Sequence, residues 1–334
     1  MPDCRACVGK IEAVALATAF LLLACNAVSA EPFAYITNQK DNNVSVIDTA
    51  TGTVVKTIPV GKEPAGVATS RDGSTVVVSN PGSKTVTLLD GRKQEAVASF
   101  PVGEGPLGIA IDGKGERAFV ADFYGHYISV VDLSEQRVVK RIPVGHYPAG
   151  VIVSPDGAKL YVADREDDTV SSIDGKTLEV EKSVKVGLHH FGLLLETKAG
   201  RLYAANVQSN DVSVIDAASM QVVKTIPVGQ RPYALASALG GKRVFVTNQY
   251  DNTVSVIDAD KLEAIGTVRV EEYPEGIAGH PDDRHVYVAN WFSNTVSVVN
   301  AETLKVEKNI LTGDGSRAFG EFIPLGPFKP AAAP

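Results

Sequence analysis

The sequence predicts an all-β protein, a seven-bladed β-propeller with four antiparallel strands in each blade. The first observation is a unit of 42 residues that recurs seven times without insertion or deletion, starting at residues 34, 76, 118, 160, 202, 244 and 286. The second is that each unit holds several short β-rich runs, and a period in the low forties with this content is typical of propeller blades. The third is a hydrophobic content of 44% beside 21% charged residues, which can support a large core.

The fourth unit shows the order of the runs along the chain. Residues 160–163, 170–174, 179–186 and 191–195 are four β-rich runs with turn residues between them. The second run of several units reads Val-Ser-Val-Ile-Asp, which is apolar on both faces. We therefore expect each sheet to be packed between two neighbouring blades.

Proline and small residues predict the radial order of the strands. Pro59, Pro101, Pro143 and Pro227 recur in the third run, and proline is confined to edge strands because it cannot donate to a β-ladder. The fourth run is rich in small residues, which suit a crowded axis. Each unit thus supplies three outer strands of one blade and the inner strand of the next. We expect residues 318–323 to close the ring as the inner strand of the sheet that the first unit begins.

The first 30 residues predict an export signal. Arg5 and Lys10 precede an apolar run over residues 13–25, and small residues at 27–30 suit cleavage. The run is too short to cross a bilayer as a helix. We expect a periplasmic protein, with secretion, or lipid anchoring to a bacterial membrane at Cys25, as alternatives. The propeller then fills residues 31–327, and residues 328–334 are expected to be a disordered tail.

Cysteine usage and charge exclude several classes of function. All three cysteines, Cys4, Cys7 and Cys25, lie in the expected signal, so the processed chain has no disulfide framework, thiolate metal site or cysteine nucleophile. The formal net charge of −7 argues against nucleic-acid binding, which needs a basic surface. We expect a monomer.

Three motifs recur in register and resemble the YVTN-repeat β-propeller family. They are the start Tyr35-Ile36-Thr37-Asn38, the Val-Ser-Val-Ile-Asp centre and the Ile-Pro-Val-Gly-x-x-Pro-x-Gly connection. The resemblance implies a seven-bladed propeller, usually exported in bacteria. Some members are partners of periplasmic quinoprotein alcohol oxidation, and others bind surfaces or DNA. The family motifs imply a fold and no catalytic residues.

The candidate binding residues lie in two loop sets that share one face. One set follows the Asn or Asp at 38, 80, 122, 164, 206, 248 and 290, which we expect to cap its own loop through hydrogen bonds to the backbone. The other follows the third run. Residues that differ between units here are expected to bind a partner or ligand: His146, Tyr147, His190, Arg231, Tyr273, Trp291, Phe292 and Arg317. For Trp291, packing across a neighbouring blade is the alternative.

Four of the six histidines occur in the same sector, which raises the hypothesis of a metal site. His126, His146, His189 and His190 could bind Zn, Cu or a haem iron through imidazole nitrogens. No carboxylate stands at an obvious ligand spacing, so the favoured alternative is that these histidines are surface groups or loop anchors. Whether a cofactor is present stays open.

The sequence thus predicts an exported propeller that binds a protein partner or a small ligand on its loop-rich face. One alternative is an accessory protein of a periplasmic PQQ-dependent alcohol oxidation system. Another is a metal-binding propeller. A third is a propeller enzyme of lactonase or lyase type, with His146 or His190 and Asp164 as its acid and base. No sequence feature requires catalysis.

Overall fold

A computed structural model describes residues 32–326 and confirms the seven-bladed propeller of four-stranded antiparallel blades. The expected signal over residues 1–30 and the expected tail over residues 328–334 lie outside the described residues. Within residues 32–326, helical structure is one short 3-10 turn at Pro81–Ser83. No helix in this part of the chain is long and apolar enough to cross a membrane.

Six blades are continuous in sequence. Blade 1 comprises β4 (Val67–Thr69), β5 (Thr75–Asn80), β6 (Thr85–Asp90) and β7 (Glu95–Pro101), and blade 2 comprises β8 (Pro106–Ile111), β9 (Arg117–Asp122), β10 (Tyr127–Asp132) and β11 (Arg137–Pro143). Blade 3 comprises β12 (Pro148–Val153), β13 (Lys159–Asp164), β14 (Thr169–Asp174) and β15 (Val180–Lys185), and blade 4 comprises β16 (His190–Glu196), β17 (Arg201–Asn206), β18 (Asp211–Asp216) and β19 (Gln221–Pro227). Blade 5 comprises β20 (Pro232–Ala238), β21 (Arg243–Asn248), β22 (Thr253–Asp258) and β23 (Glu263–Arg269), and blade 6 comprises β24 (Pro274–Gly279), β25 (His285–Asn290), β26 (Thr295–Asn300) and β27 (Lys305–Leu311). Blade 7 holds β1 (Phe33–Asn38), β2 (Asn43–Asp48) and β3 (Thr53–Pro59).

The predicted radial order is confirmed. In each continuous blade the strands pair in chain order, and the first strand lies innermost, against its counterparts in the neighbouring blades. The last strand is largely exposed, as in β3. Small residues at the axis follow from the close approach of neighbouring strands, because a Cβ atom on Gly108 would lie 2.0 Å from the carbonyl oxygen of Ala149.

The ring closes through the C-terminal segment, residues 316–323, which lies inside β1. The Arg317 N–H donates to the Thr37 carbonyl (2.8 Å), and the Tyr35 N–H donates to the Phe322 carbonyl (3.0 Å). The segment forms isolated bridges rather than the regular strand that the sequence predicts. The reason is that it also bonds the next blade, since the Val67 N–H donates to the Phe319 carbonyl (2.9 Å).

The hydrophobic core lies between adjacent blades. The second and third strands of each blade are buried almost throughout, as in β21 and β22. Tyr35, Phe119 and Phe245 are fully buried and are among the largest core side chains. This scaffold presents two loop sets on one face, called here the top face: the loops that follow β1, β5, β9, β13, β17, β21 and β25, and the loops that enter the innermost strands.

Candidate functional site

The top-face loops are locked together by a hydrogen bond that recurs between residues 21 positions apart. In six of the seven blades, a side chain in the loop between the second and third strands accepts the backbone N–H of the residue that immediately precedes the inner segment of the next blade. The Asn210 Oδ1 accepts the Arg231 N–H (2.9 Å), and the Asn252 Oδ1 accepts the Tyr273 N–H (2.9 Å). Equivalent bonds hold Glu63, His189 and Gly315. The positions of the variable top-face residues are therefore fixed by the repeat.

The residues held in this way adopt the left-handed backbone region, which costs a non-glycine residue about 1 kcal/mol or more. They are Glu63 (φ 53°), Tyr147 (φ 52°), His189 (φ 50°), Arg231 (φ 56°), Tyr273 (φ 58°) and Gly315 (φ 78°). Glycine would occupy these positions without strain.

The Asn and Asp that end the second strands are buried, and the prediction that they cap the backbone is correct only in part. The Asn290 Nδ2 donates to the Ser297 hydroxyl (2.9 Å), and the Asn248 Nδ2 donates to the Ser255 hydroxyl (2.9 Å), so these amides bond the next strand. Asp122 does cap the backbone, because its Oδ1 accepts the N–H groups of Gly105 (3.1 Å) and Gly125 (2.7 Å). These residues build the blade.

Aromatic residues of blades 5 and 6 form one continuous surface, called here the aromatic ledge: Tyr250, Tyr273, Trp291 and Phe292. The Trp291 and Phe292 rings stack at 4.7 Å, and Tyr273 contacts both. Tyr250 follows at 6.0 Å from Tyr273. The side chains of Tyr250 and Phe292 are 58% and 53% exposed. The ledge therefore presents apolar area to solvent on a stacked base.

Two cations flank the ledge. The Lys40 ammonium lies 5.8 Å from the Trp291 ring centroid, and the Arg231 guanidinium lies 5.3 Å from that of Tyr250. Trp291 lies towards the neighbouring blade, since a Cβ atom added to Gly315 would lie 3.1 Å from the Trp291 Nε1. Trp291 is half-buried at the base of the ledge, and the exposed rings are Phe292 and Tyr250. Tyr250 is one of the aromatic residues that the sequence places on this rim, but it was not among the eight candidate binding residues.

The upper mouth of the central channel holds a buried polar set. The Arg317 Nε lies 2.7 Å from the Glu275 Oε2, and an Arg317 guanidinium N–H donates to the Tyr233 hydroxyl (2.9 Å). The Gln249 amide donates to the Glu275 Oε1 (3.0 Å). Burial alone would lower the pKa of Arg317, but the Glu275 carboxylate raises it above its ordinary value. Burial raises the pKa of Glu275 despite the neighbouring Arg317 charge.

Below this set, three aromatic rings close the channel. Phe191 and Tyr233 stack at 4.1 Å, and Phe319 of the C-terminal segment meets Phe191 at 4.8 Å and Tyr233 at 5.8 Å. All three side chains are buried. We call them the aromatic plug. A ligand on the top face therefore meets a surface rather than a deep hole.

The four histidines of the metal hypothesis are not gathered into one group. The His126 Nδ1 accepts the Tyr147 N–H (3.0 Å), so His126 takes the anchoring place of the asparagines in other blades. The His146 Nδ1 lies 2.9 Å from Asp167, and the His189 Nδ1 lies 3.1 Å from the Gln208 amide. His126 and His146 rings touch at 5.1 Å beside Tyr147. His190 is completely buried, so its side chain does not belong to the exposed face.

A different group of possible metal ligands lies on the opposite face. Within residues 32–326, His280, Asp282 and His285 bring three ligand atoms within 4.8 Å of one another. The sequence assigned these residues no role. The Asp282 N–H donates to the His280 Nδ1 (3.2 Å), so the lone pair of that nitrogen is engaged in a hydrogen bond rather than directed at a metal ion. Asp282 occupies the turn position of Asp72 and Asp156, which bond neighbouring serines in other blades. The arrangement fits a turn in which His280 replaces a serine.

His190 occupies a position where five units carry proline. Neither ring nitrogen has a hydrogen-bond partner among the described residues. Burial lowers the pKa of His190 to about 4. Burial raises the pKa of Asp164, in the same sector, to about 6. No hydrogen bond between the two is present, so the acid–base pair of His190 with Asp164 is not assembled.

We expect His190 to make the protein less stable in acid. Between pH 6.5 and 4 the His190 side chain is protonated in the unfolded chain but stays neutral in the folded chain. The free energy of unfolding therefore falls as pH drops. The loss between pH 7 and pH 4 is about 3 kcal/mol. Asp164 acts in the opposite direction, since its raised pKa favours the folded state as pH falls. Urea unfolding of His190→Pro and wild type at pH 4, 5, 6 and 7 isolates the His190 contribution as a difference. A constant difference between the two proteins would rule the account out.

The fold and this face define a seven-bladed β-propeller with an exposed aromatic surface on one rim. No protein-family model and no curated protein matches the sequence. Solved structures with the same fold include hydrazine synthase of Kuenenia stuttgartiensis, with 21% identity, a TM-score of 0.73 and coverage of 80% of this chain and 92% of that chain. A functionally unknown protein from Desulfotomaculum acetoxidans has 14% identity and a TM-score of 0.74, with coverage of 86% and 99%. Dihydro-heme d1 dehydrogenase NirN in complex with DHE has 18% identity and a TM-score of 0.66, with coverage of 84% and 63%. At these identities the likeness shows the fold alone.

Proposed function

We propose that this chain is an exported binding protein of the YVTN-repeat type that docks a protein partner on its top face through the aromatic ledge. The observation that carries the proposal is the pair of exposed rings, Tyr250 at 58% and Phe292 at 53%, held on the stacked base of Tyr273 and Trp291. Contiguous exposed aromatic area is uncommon on a protein without a partner.

The ledge has the chemistry of an interface hot spot. Aromatic and arginine side chains dominate such sites, and rigid rings lose little conformational entropy on binding. Tyr273 and Arg231 are held in left-handed backbone conformations by Asn252 and Asn210. The partner surface that fits is apolar at its centre with a carboxylate facing Arg231, since Lys40 is already paired with Asp314 (3.2 Å).

The filled upper channel favours a partner that binds on the surface rather than a small ligand held deep in the channel. The aromatic plug and the Arg317–Glu275 pair fill the upper channel. One structural neighbour, NirN, is recorded in complex with DHE, so a small ligand on this face is kept as an outcome of the test. The exported location rests on the signal expected over residues 1–30.

Replacing Tyr250 or Phe292 by alanine is expected to weaken partner binding by about 2 kcal/mol or more each, which is roughly 30-fold in affinity. Immobilised wild type is exposed to envelope extract of the producing cells, the retained protein is identified and purified, and affinities are measured by calorimetry. Tyr124→Ala is the matched control, because Tyr124 is 65% exposed on the same face but lies in blade 2. A retained quinoprotein dehydrogenase would specify the accessory role that the family resemblance suggests.

Arg231→Gly separates binding from stability. Glycine suits φ 56°, so this variant is expected to melt close to wild type while binding the partner more weakly. The proposal fails if the Tyr250 and Phe292 variants bind the retained protein as tightly as wild type. It also fails if Tyr124→Ala loses as much affinity as they do, or if only a small molecule is retained.

A further inference from the structure

The lower half of the central channel is a cavity of about 230 Å³. The aromatic plug separates it from the top face, because its lining includes Phe319 but no residue of the top-face loops. The lining extends to Arg71, Gly113 and Pro155 in the turns that follow the innermost strands. The cavity therefore opens on the face opposite the aromatic ledge, and what it binds is independent of the proposed partner.

The walls of this cavity are apolar. Innermost strands of five blades contribute Ile109, Val151, Leu193, Leu235 and Ile277. Two charged side chains, Glu321 and Arg71, also line it. Arg71 is exposed, in the turn that follows β4.

Glu321 is an unexpected residue for such a wall. The equivalent positions in the other units carry Thr69, Ile111, Val153, Leu195, Ser237 and Gly279. The Glu321 carbonyl accepts the Thr69 N–H (3.0 Å), but no side chain among residues 32–326 pairs with its carboxylate. The Glu321 side chain is exposed and lines the cavity, so its carboxylate is an accessible anionic group beside the apolar wall.

The dimensions favour a small organic molecule over a metal ion. A dry apolar cavity of about 150 Å³ in another protein holds benzene, so about 230 Å³ accommodates one ring with a short arm. A metal ion would need several oxygen or nitrogen ligands, and Glu321 is the single carboxylate of the lining. We infer that this cavity binds a small apolar organic cation, an amine whose ring contacts the aliphatic walls and whose ammonium pairs with the Glu321 carboxylate.

Three probes of one shape and different charge test the inference. Calorimetry at pH 8 with 2-phenylethylamine, 2-phenylethanol and 3-phenylpropanoate compares cation, neutral molecule and anion on the purified protein. We expect the amine to bind best, and Glu321→Gln to weaken it by about tenfold or more while leaving the alcohol unchanged. Glu116→Gln, on the same face but outside the lining, is the matched control.

A second measurement does not depend on a variant. The amine keeps its charge below pH 8, so a loss of affinity on acidification reports protonation of the protein. Glu321 is the carboxylate of the lining, so it is the group that takes up the proton. Affinity is expected to fall as pH drops from 8 through the ordinary range of a glutamate carboxyl, to pH 4. Equal binding of all three probes, no binding of the amine, preference for the anion, or an affinity unchanged by pH and by Glu321→Gln would each overturn the inference.

Discussion

A chain that ends at Gly315 does not fold cooperatively, whereas a chain that ends at Gly326 melts close to the full-length protein. This is the largest effect that we expect from any change in this molecule. The shorter chain lacks the segment that joins β1 to β4 across the closing blade. The longer one keeps every hydrogen bond described for that segment.

The size of the effect follows from burial. Phe322 and Ile323 are fully buried and Phe319 completes the aromatic plug, so each contributes about 2 kcal/mol of apolar burial. Loss of Arg317 also leaves Glu275 buried without its counter-charge. The sum is comparable with the whole stability of a typical domain, about 5–15 kcal/mol. Circular dichroism during urea and thermal unfolding measures it, and a sigmoidal transition in the shorter chain near that of the longer one would refute the closure.

The fold was predictable from the sequence because its determinants are local. Proline at 59, 101, 143 and 227 marks edge strands through a missing N–H group, and small residues near the axis report how closely innermost strands approach. The irregular closing segment was not predictable. Its geometry depends on simultaneous bonds to β1 and β4 and on Gly320 at φ 121°, which no repeat pattern encodes.

The site was predictable in outline only. Trp291 and Phe292 are adjacent in sequence, and the neighbouring loop at Gly315, rather than either residue, decides which ring is exposed. Glu275 was missed although a signal existed. Glu275 directly follows Pro274, and Arg317 is the equivalent residue one repeat unit later. The other units carry apolar residues at this position: Ala65, Leu107, Ala149, Phe191 and Tyr233. Opposite charges in equivalent positions of adjacent units indicate an ion pair at the axis.

The Arg317–Glu275 pair supplies the second large effect. Removing one member of a buried ion pair typically costs about 3–5 kcal/mol, because a charge is left buried without compensation. The Arg317 side chain is 18% exposed. We therefore expect Glu275→Gln to lower the free energy of unfolding by about 3 kcal/mol, at the lower end of that range. Arg317→Met is expected to cost a similar amount at pH 8.

The pH response separates the two single variants. In Arg317→Met the buried Glu275 has lost its counter-charge, and its raised pKa means that the folded state takes up a proton more readily than the unfolded chain. Stability of Arg317→Met, relative to wild type, should therefore rise as pH falls from 8 to 5. Glu275→Gln has no such carboxyl, so its difference from wild type should lack this rise.

The double variant Glu275→Gln/Arg317→Met completes a thermodynamic cycle. If the pair acts as one unit, the double variant is more stable than the sum of the single losses predicts, by about 2 kcal/mol or more, because neither charge is left alone. Urea unfolding of the four proteins at pH 8 measures the coupling. Losses that add within about 0.5 kcal/mol would show that the two charges are independent. The contact of 2.7 Å would then be a consequence of ring closure rather than a contribution to it.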